Sequence, residues 1–311
     1  MTITPTGCSK DHTDRRGSYK GGNFMKTNLK IIIASAILTA AAFAAEEVKW
    51  QGPVRNQAEI EAILAKAPKE TAKPINIILV SCPKDHGPNE HDYPLWQERW
   101  KKLLGSMPEL NVQLAEANQW PSNEQLKTAN LIVMNSWGRW TDEKLKDLDE
   151  FLSRGGGFVS IHPTLITSKD YSERLAKLLG LVWEHKYSWY KYGPMKLKLQ
   201  DRSDPICLGL PKEIEFIDEA YWPLRGDANN IKLIATTDEP NAKDPNIIKP
   251  EPMFWKYQHG KGRVFACILG HYDRTFDDPY LRILLLRGIA WAGNEPVYCL
   301  DKLVLFDLDK K

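Results

Sequence analysis

Three short clusters of imidazole and carboxylate groups hold the residues in this chain best suited to chemistry. Asp85-His86-Gly87-Pro88-Asn89-Glu90-His91-Asp92-Tyr93 sets two histidines among acids, and His162-Pro163 and His271-Tyr272-Asp273 supply two more. Imidazole titrates near neutrality and is the commonest metal ligand, so these groups suit proton transfer or ligation of a divalent ion. The five-residue step from His86 to His91 permits joint ligation but is not the spacing of a helical zinc-protease motif. The plain alternative is an ordinary loop exposing two histidines.

Two further segments add carboxylates to aromatics. Glu184-His185 precedes Lys186-Tyr187-Ser188-Trp189-Tyr190, and Asp218-Glu219-Ala220-Tyr221-Trp222 follows. Aromatic faces stack on sugar rings, and polar groups beside them bond hydroxyls. A carboxylate among aromatics can also be tuned for acid–base work. Against this, both segments can be read as packing, with Asp218 or Glu219 simply paired to Arg225.

The elements that must position these groups follow from periodicity. Each histidine cluster terminates an apolar run, at 75–82, 158–161 and 264–270, that reads as a buried strand. Open α/β sheets hold ligands at the carboxyl ends of their strands, so three strands ending in histidine point to a site. Pro94 followed by Leu95, Trp96, Trp100, Leu103 and Leu104 predicts a helix. Thr141-Asp142-Glu143 starts another, which Gly155-Gly156-Gly157 ends. Further helices are predicted near 59–67, over 171–179 and over 279–291, and strands over 112–117 and 131–134. Alternation of strand and helix predicts an α/β fold with a mostly parallel sheet. Short runs at 195–199, 213–217, 231–236 and 253–257 with little helix between them predict an antiparallel extension. His259, in a Gly-Lys-Gly turn, is assigned to a hairpin tip with no role.

The chain ends add a compartment. Residues 25–44 combine a basic start, an apolar run and Ala42-Phe43-Ala44, the pattern of a cleaved secretory signal. Residues 1–24 are polar and patternless, and translation from Met25 is expected. The remainder divides into a lead-in (45–73), one domain (74–294) and a tail (295–311), exported to a periplasmic or secreted location with no membrane span after cleavage. Leaving out residues 1–44 removes six of the 42 basic and two of the 40 acidic residues, so 36 and 38 remain, a net charge of −2. That balance argues against a nucleic-acid partner. Oxidising surroundings would permit disulfides among Cys82, Cys207, Cys267 and Cys299, although Cys82 and Cys267 lie in apolar strands that favour free thiols.

Gly156-Gly157-Phe158-Val159-Ser160-Ile161-His162 has the form of a strand leading to a nucleophile elbow, but histidine stands where a nucleophile would. Neither amidase thiolate chemistry nor a Gly-x-Ser-x-Gly hydrolase fits. Taken in order, the 85–93 motif, Gly-Gly-Gly-Phe-Val-Ser-Ile-His, Glu184-His185, Asp-Glu-Ala-Tyr-Trp, Gly-Lys-Gly-Arg-Val-Phe and Leu-Gly-His-Tyr-Asp resemble the ThuA-like (trehalose utilisation) family over about 74–294. The resemblance implies a flavodoxin-like three-layer sandwich, related to class I glutamine amidotransferases but lacking their cysteine. It also implies catabolism of trehalose-type sugars, in particular 3-keto-glycosides. It carries over His86, His91, His162, Glu219 and His271. Asp204-Pro205-Ile206 departs from the His-Pro-Ile frequent in relatives.

These readings assign catalysis to Glu219, His271 and His162, with Glu219 and His271 as base and acid. Substrate binding is assigned to His91, His185, Trp189, Tyr221 and Asp273. A divalent metal, zinc or similar, is placed on His86, His91 and His162, and no nucleotide cofactor is expected. The partner is a small sugar, with self-association left open. The competing reading is a carbohydrate-binding protein without catalysis, for which eleven tryptophans and eleven tyrosines offer stacking surface.

Overall fold

The computed structural model describes residues 52–115 and 120–310. The expected upstream segment and signal lie outside these residues, as do positions 116 and 117 of the strand expected over 112–117. Strand and helix alternate through the first half: α1 (Gln57–Leu64), β1 (Ile75–Val80), α2 (Tyr93–Gly105), β2 (Leu110–Leu114), α3 (Asn123–Thr128), β3 (Leu131–Asn135), α4 (Asp142–Ser153), β4 (Gly157–Ile161), β5 (Ile166–Thr167), α5 (Lys169–Leu179) and β6 (Leu181–Glu184). Strands then dominate: β7 (Trp189–Leu199), β8 (Glu213–Trp222), β9 (Arg225–Gly226), β10 (Lys232–Pro240), β11 (Ile248–His259) and β12 (Gly262–Cys267), before α6 (Pro279–Ala292).

Nine of these strands form one sheet in the order β2-β1-β3-β4-β12-β11-β10-β7-β8. The first five are parallel and follow the flavodoxin-like order, with a topological switch between β1 and β3. From β12 onward each pairing is antiparallel, which is the expected extension. Strands β3 and β4 are buried throughout because helices cover both faces of the parallel part, so their sequences read as unbroken apolar runs.

The helix boundaries have local causes. Asp92 caps α2 by accepting the Leu95 N–H, with Pro94 in the first turn, and Thr141 caps α4 by accepting from Lys144. Gly157 follows α4 where a Cβ would lie 2.2 Å from the Ala292 carbonyl oxygen, so only glycine lets α6 approach β4 this closely. Helix α3 was not anticipated. Its signal is a capping box between Ser122 and Gln125, too short a pattern to register as periodicity.

The extension strands run longer than the apolar runs suggested. Tyr190 and Tyr192 of β7 are exposed, so alternation in hydrophobicity is lost where the β7–β8 hairpin projects. The carboxyl-terminal segment packs against the core through Leu300, Leu303 and Val304. It is held by Arg287, wholly buried, which donates to Asp301 and to the carbonyls of Ile206 and Leu208. Cys82, Cys207, Cys267 and Cys299 are free and buried. Among the described residues no helix is long and apolar enough to cross a membrane.

Candidate functional site

The three histidine-bearing strand ends meet. His91 follows β1, His162 follows β4 and His271 follows β12, all at the carboxyl edge of the parallel sheet, and Glu219 reaches them from β8. His91 and His162 both sit in the left-handed backbone region, at φ 46° and 49°. Non-glycine residues seldom adopt it, and where they do the strain often marks a functional position. At His162 the chain leaves β4 and turns at once into a 3-10 turn (His162–Leu165), so the imidazole occupies the elbow. A strip of backbone pairing brings the first loop to the last. The His91 N–H donates to the His271 carbonyl at 3.0 Å, and the Asp273 N–H to the Asn89 carbonyl at 3.0 Å.

Four donor atoms converge on one buried point. His91 Nε2 lies 2.9 Å from His162 Nε2 and 2.9 Å from His271 Nδ1. Glu219 Oε2 lies 3.2 Å from both His162 Nε2 and His271 Nδ1. The Tyr221 hydroxyl stands 3.2 Å from His162 Nε2. All four ligating-type residues are at most 4% exposed.

The outward nitrogens fix which atoms face inward. His162 Nδ1 donates to the Ile268 carbonyl at 2.7 Å, and His91 Nδ1 to Asp85 Oδ1 at 3.0 Å, with Tyr93 OH 2.8 Å away. His271 Nε2 faces Glu90 Oε1 at 3.7 Å. Those partners leave lone pairs on the inward atoms of His91 and His162, and carboxylate or carbonyl groups behind imidazoles are the usual surroundings of metal-binding histidines.

For His91 the electrostatics agree with that assignment. Burial, opposed by the Asp85 hydrogen bond and helped by His162 and His271, pulls His91 down to about 3, so its imidazole is neutral. Burial would raise Glu219, but the His162 and His271 imidazoles 3.2 Å from its Oε2 lower it to about 2, a carboxylate. Burial lowers His271, yet the Glu219 hydrogen bond and charge carry it above the ordinary imidazole value. Asp85 is likewise held well below the carboxylate range by His86 and His91 against the effect of burial.

Of the residues singled out from sequence, His91, His162, Glu219, His271 and Tyr221 are brought together. His86 is not one of the converging donors. It is exposed at the rim, its Nδ1 2.7 Å from Asp85 Oδ1 and its ring tilted by 59° with its centroid 3.8 Å from that of His91, so that Asp85, His86 and His91 form a second, outer group of donors. His185 is exposed and packs on Trp183 and Trp137, one layer out, with Trp183 in turn 5.9 Å from Tyr221. Trp189 pairs with Trp222 in the hairpin register, and side-chain alternation puts it on the face opposite Tyr190, Tyr192, Glu219 and Tyr221. Asp273 accepts the Asp92 N–H and so braces the first loop rather than entering the cluster. Arg225 pairs with Glu184, leaving Asp218 and Glu219 free of the partner considered for them.

Two residues that serve the site, Asp218 and Tyr192, were given no role in it from sequence. Asp218, wholly buried, accepts backbone N–H groups from Glu219, Gly270 and His271 on one oxygen. Tyr192 lies opposite Glu219 in the hairpin, its ring 4.7 Å from that of His271. A two-residue step from Glu219 and Tyr221 across a hairpin would have located Tyr192, had the register been known. A groove of about 550 Å³ lined by Lys169, Glu184 and Arg225 lies beside α5 and includes none of the cluster, so the site is defined by its chemistry rather than by concavity.

Comparison with known proteins follows the same outline. A family model described as ThuA, trehalose utilisation, matches residues 85–292. A ThuA-like protein from Parabacteroides merdae aligns with a TM-score of 0.55 at 20% identity, over 71% of this chain and 90% of its own. A ThuA-like protein from Bacteroides uniformis aligns with a TM-score of 0.58 at 17% identity, over 75% of this chain and 98% of its own. At such identities these likenesses concern the fold. No protein of curated function matches the chain.

Proposed function

The chain belongs to the ThuA, trehalose utilisation, family, and from that membership we propose that it acts on a keto-glycoside or related sugar at His91, His162, Glu219 and His271, with a divalent cation held among them. The observation that carries this reading is the 2.9 Å approach of His91 Nε2 to His162 Nε2, two atoms whose lone pairs face each other. Such an approach is repulsive unless positive charge lies between the atoms. The spacings of 2.9–3.2 Å come near the edge of about 3.3 Å that four ligands at zinc-type bond lengths would make. Three imidazoles and one carboxylate suit first-row divalent ions.

When bound, such an ion supplies Lewis-acid polarisation of a carbonyl oxygen. The protein groups supply the rest. Glu219 sets Oε2 3.2 Å from an inward nitrogen of each of His162 and His271, so in this reading it serves as a donor to the cation, a role different from the expected base. His271 is likewise turned inward and becomes a ligand. His86 keeps Nδ1 on Asp85 at the rim and leaves Nε2 to hold or return the proton next to a sugar carbonyl. Tyr221 directs its hydroxyl at the cluster from a fully buried ring and helps exclude water. The segment at 25–44 places this activity outside the cytoplasm in our reading.

The exposed rings of Trp189 and Tyr190, 52% and 55% accessible, favour a second reading in which the protein binds carbohydrate without transforming it. One experiment separates the two. The purified protein is analysed for metal and incubated with 3-keto-glucosides, beside H162A and E219A. A stoichiometric divalent ion and turnover, both lost in the variants, are expected. Sugar binding without turnover in a metal-replete sample would replace this reading with the second.

A further inference from the structure

Tyr192 and Tyr190 lie on β7 opposite Glu219 and Tyr221 of β8, and residues directly opposite in an antiparallel pair share a face. The face that carries Glu219 into the cluster therefore continues outward as two tyrosine rings. Their accessibility changes sharply along that line. Tyr221 is 2% exposed, Tyr192 43% and Tyr190 55%. The inner edge is anchored, because the Tyr192 ring lies 4.7 Å from the His271 ring, and Tyr190 packs edge-on against Tyr192 at 5.4 Å. Directly after Tyr192 comes Gly193 at φ 131°, where a Cβ would meet nothing within 4 Å. Glycine is required there by backbone conformation and not by crowding, beside the residue that presents the inner ring.

We propose that Tyr192, with Tyr190 beside it, is the platform on which the ring of a pyranoside lies against the cluster. The proposal rests on the sugar reading above and names the residues that would seat its substrate. A pyranose has apolar C–H faces and a hydroxylated edge. The tyrosine rings match the faces, and Glu90, whose carboxylate stands 3.7 Å from His271 Nε2 and is partly exposed, matches the edge. A flat apolar ligand would find a charged wall there, and an extended peptide would find only two rings.

The test uses the intact, metal-loaded protein with methyl α-glucopyranoside and its 3-keto derivative as probes, followed by calorimetry. Tyr192→Ala and Tyr192→Leu are expected to weaken binding of the keto sugar about tenfold, Tyr190→Ala about threefold, and Tyr192→Phe less than about threefold, since the ring and not the hydroxyl does the stacking. Bound metal should be the same in all of them, which separates lost stacking from a damaged cluster. Wild-type affinity in Tyr192→Ala would overturn the platform while leaving the sugar reading intact. An equal loss in Tyr192→Phe would overturn it too, by assigning the effect to the hydroxyl. If the unsubstituted protein binds neither probe, the sugar reading fails and the platform falls with it.

Discussion

The backbone N–H of His271 donates to Asp218 Oδ1 at 3.0 Å, and the same oxygen accepts Glu219 N–H at 2.7 Å and Gly270 N–H at 3.1 Å. One wholly buried carboxylate thus fastens two of the four converging residues to each other through their backbones. Asp218→Ala leaves three amides without that partner, each worth about 1–3 kcal/mol when stranded. We expect several kcal/mol of lost stability in denaturant melts and a weakened response to added metal, with Asp218→Asn recovering much of both. An Asp218→Ala protein with unchanged stability would contradict this account.

Substitutions within the cluster should divide cleanly. His91→Ala, His162→Ala, His271→Ala and Glu219→Gln are expected to abolish retention of a divalent ion after dialysis, whereas His86→Ala retains it. Elemental analysis decides the matter, and equal loss in His86→Ala would move the ion toward the rim. A ligand at a hundredfold its dissociation constant adds about 2.7 kcal/mol of stability, so the melting temperature of the wild type should rise with added metal and fall again with chelator.

Behind His91 stands Asp85, whose Oδ1 accepts the hydrogen bond from its Nδ1–H. Loss of such a supporting carboxylate lowers metal affinity by about 10–100-fold. Asp85→Asn should show a loss of that size in competition with a chromophoric chelator, with little change in the melt of the metal-free protein. Affinity like that of the wild type would mean that the Tyr93 hydroxyl alone orients the ring.

Asp204 is fully buried and takes Lys256 and Lys232 as ion-pair partners. Burial would raise its carboxyl, but those lysines and the Ile206 N–H hold it below the ordinary value. A folded-state pKa below the unfolded one stabilises fully above about 3.9 and is lost as pH falls through the depressed value. The stability gap between wild type and Asp204→Asn should therefore be widest near neutrality and close below about pH 4. A gap that stays constant down to pH 2 would contradict the ion-pair account.

Arg287 holds the last segment of the chain through Asp301. Breaking a buried ion pair from one side costs about 3–5 kcal/mol. Arg287→Met or Asp301→Ala should lower stability by that order in denaturant melts, while an effect below 1 kcal/mol would make the segment an appendage.

Much of this was legible in the residue order because the parallel strands are buried on both faces and end in histidine. His162, His91 and His271 could be placed on one edge before any coordinates were known. The membership of the cluster was harder to read. His86 and His91 are neighbours in sequence, but the left-handed turn at His91 sends only one of them inward. Trp189 was assigned to substrate binding, whereas the hairpin register puts Tyr192 opposite Glu219, and registers are not written in composition. Asp218 acts through backbone amides, which carry no sequence signature.

The four converging residues come from four stretches of chain, and His91 and His271 lie 180 positions apart. No short segment contains two of the four. A cation can be captured only once β1, β4, β8 and β12 lie in their final places, so occupancy of the cluster is a report on completed assembly. A chain threaded through any membrane unfolded would cross it with these four residues still apart, so any cation they hold would be taken up on the far side.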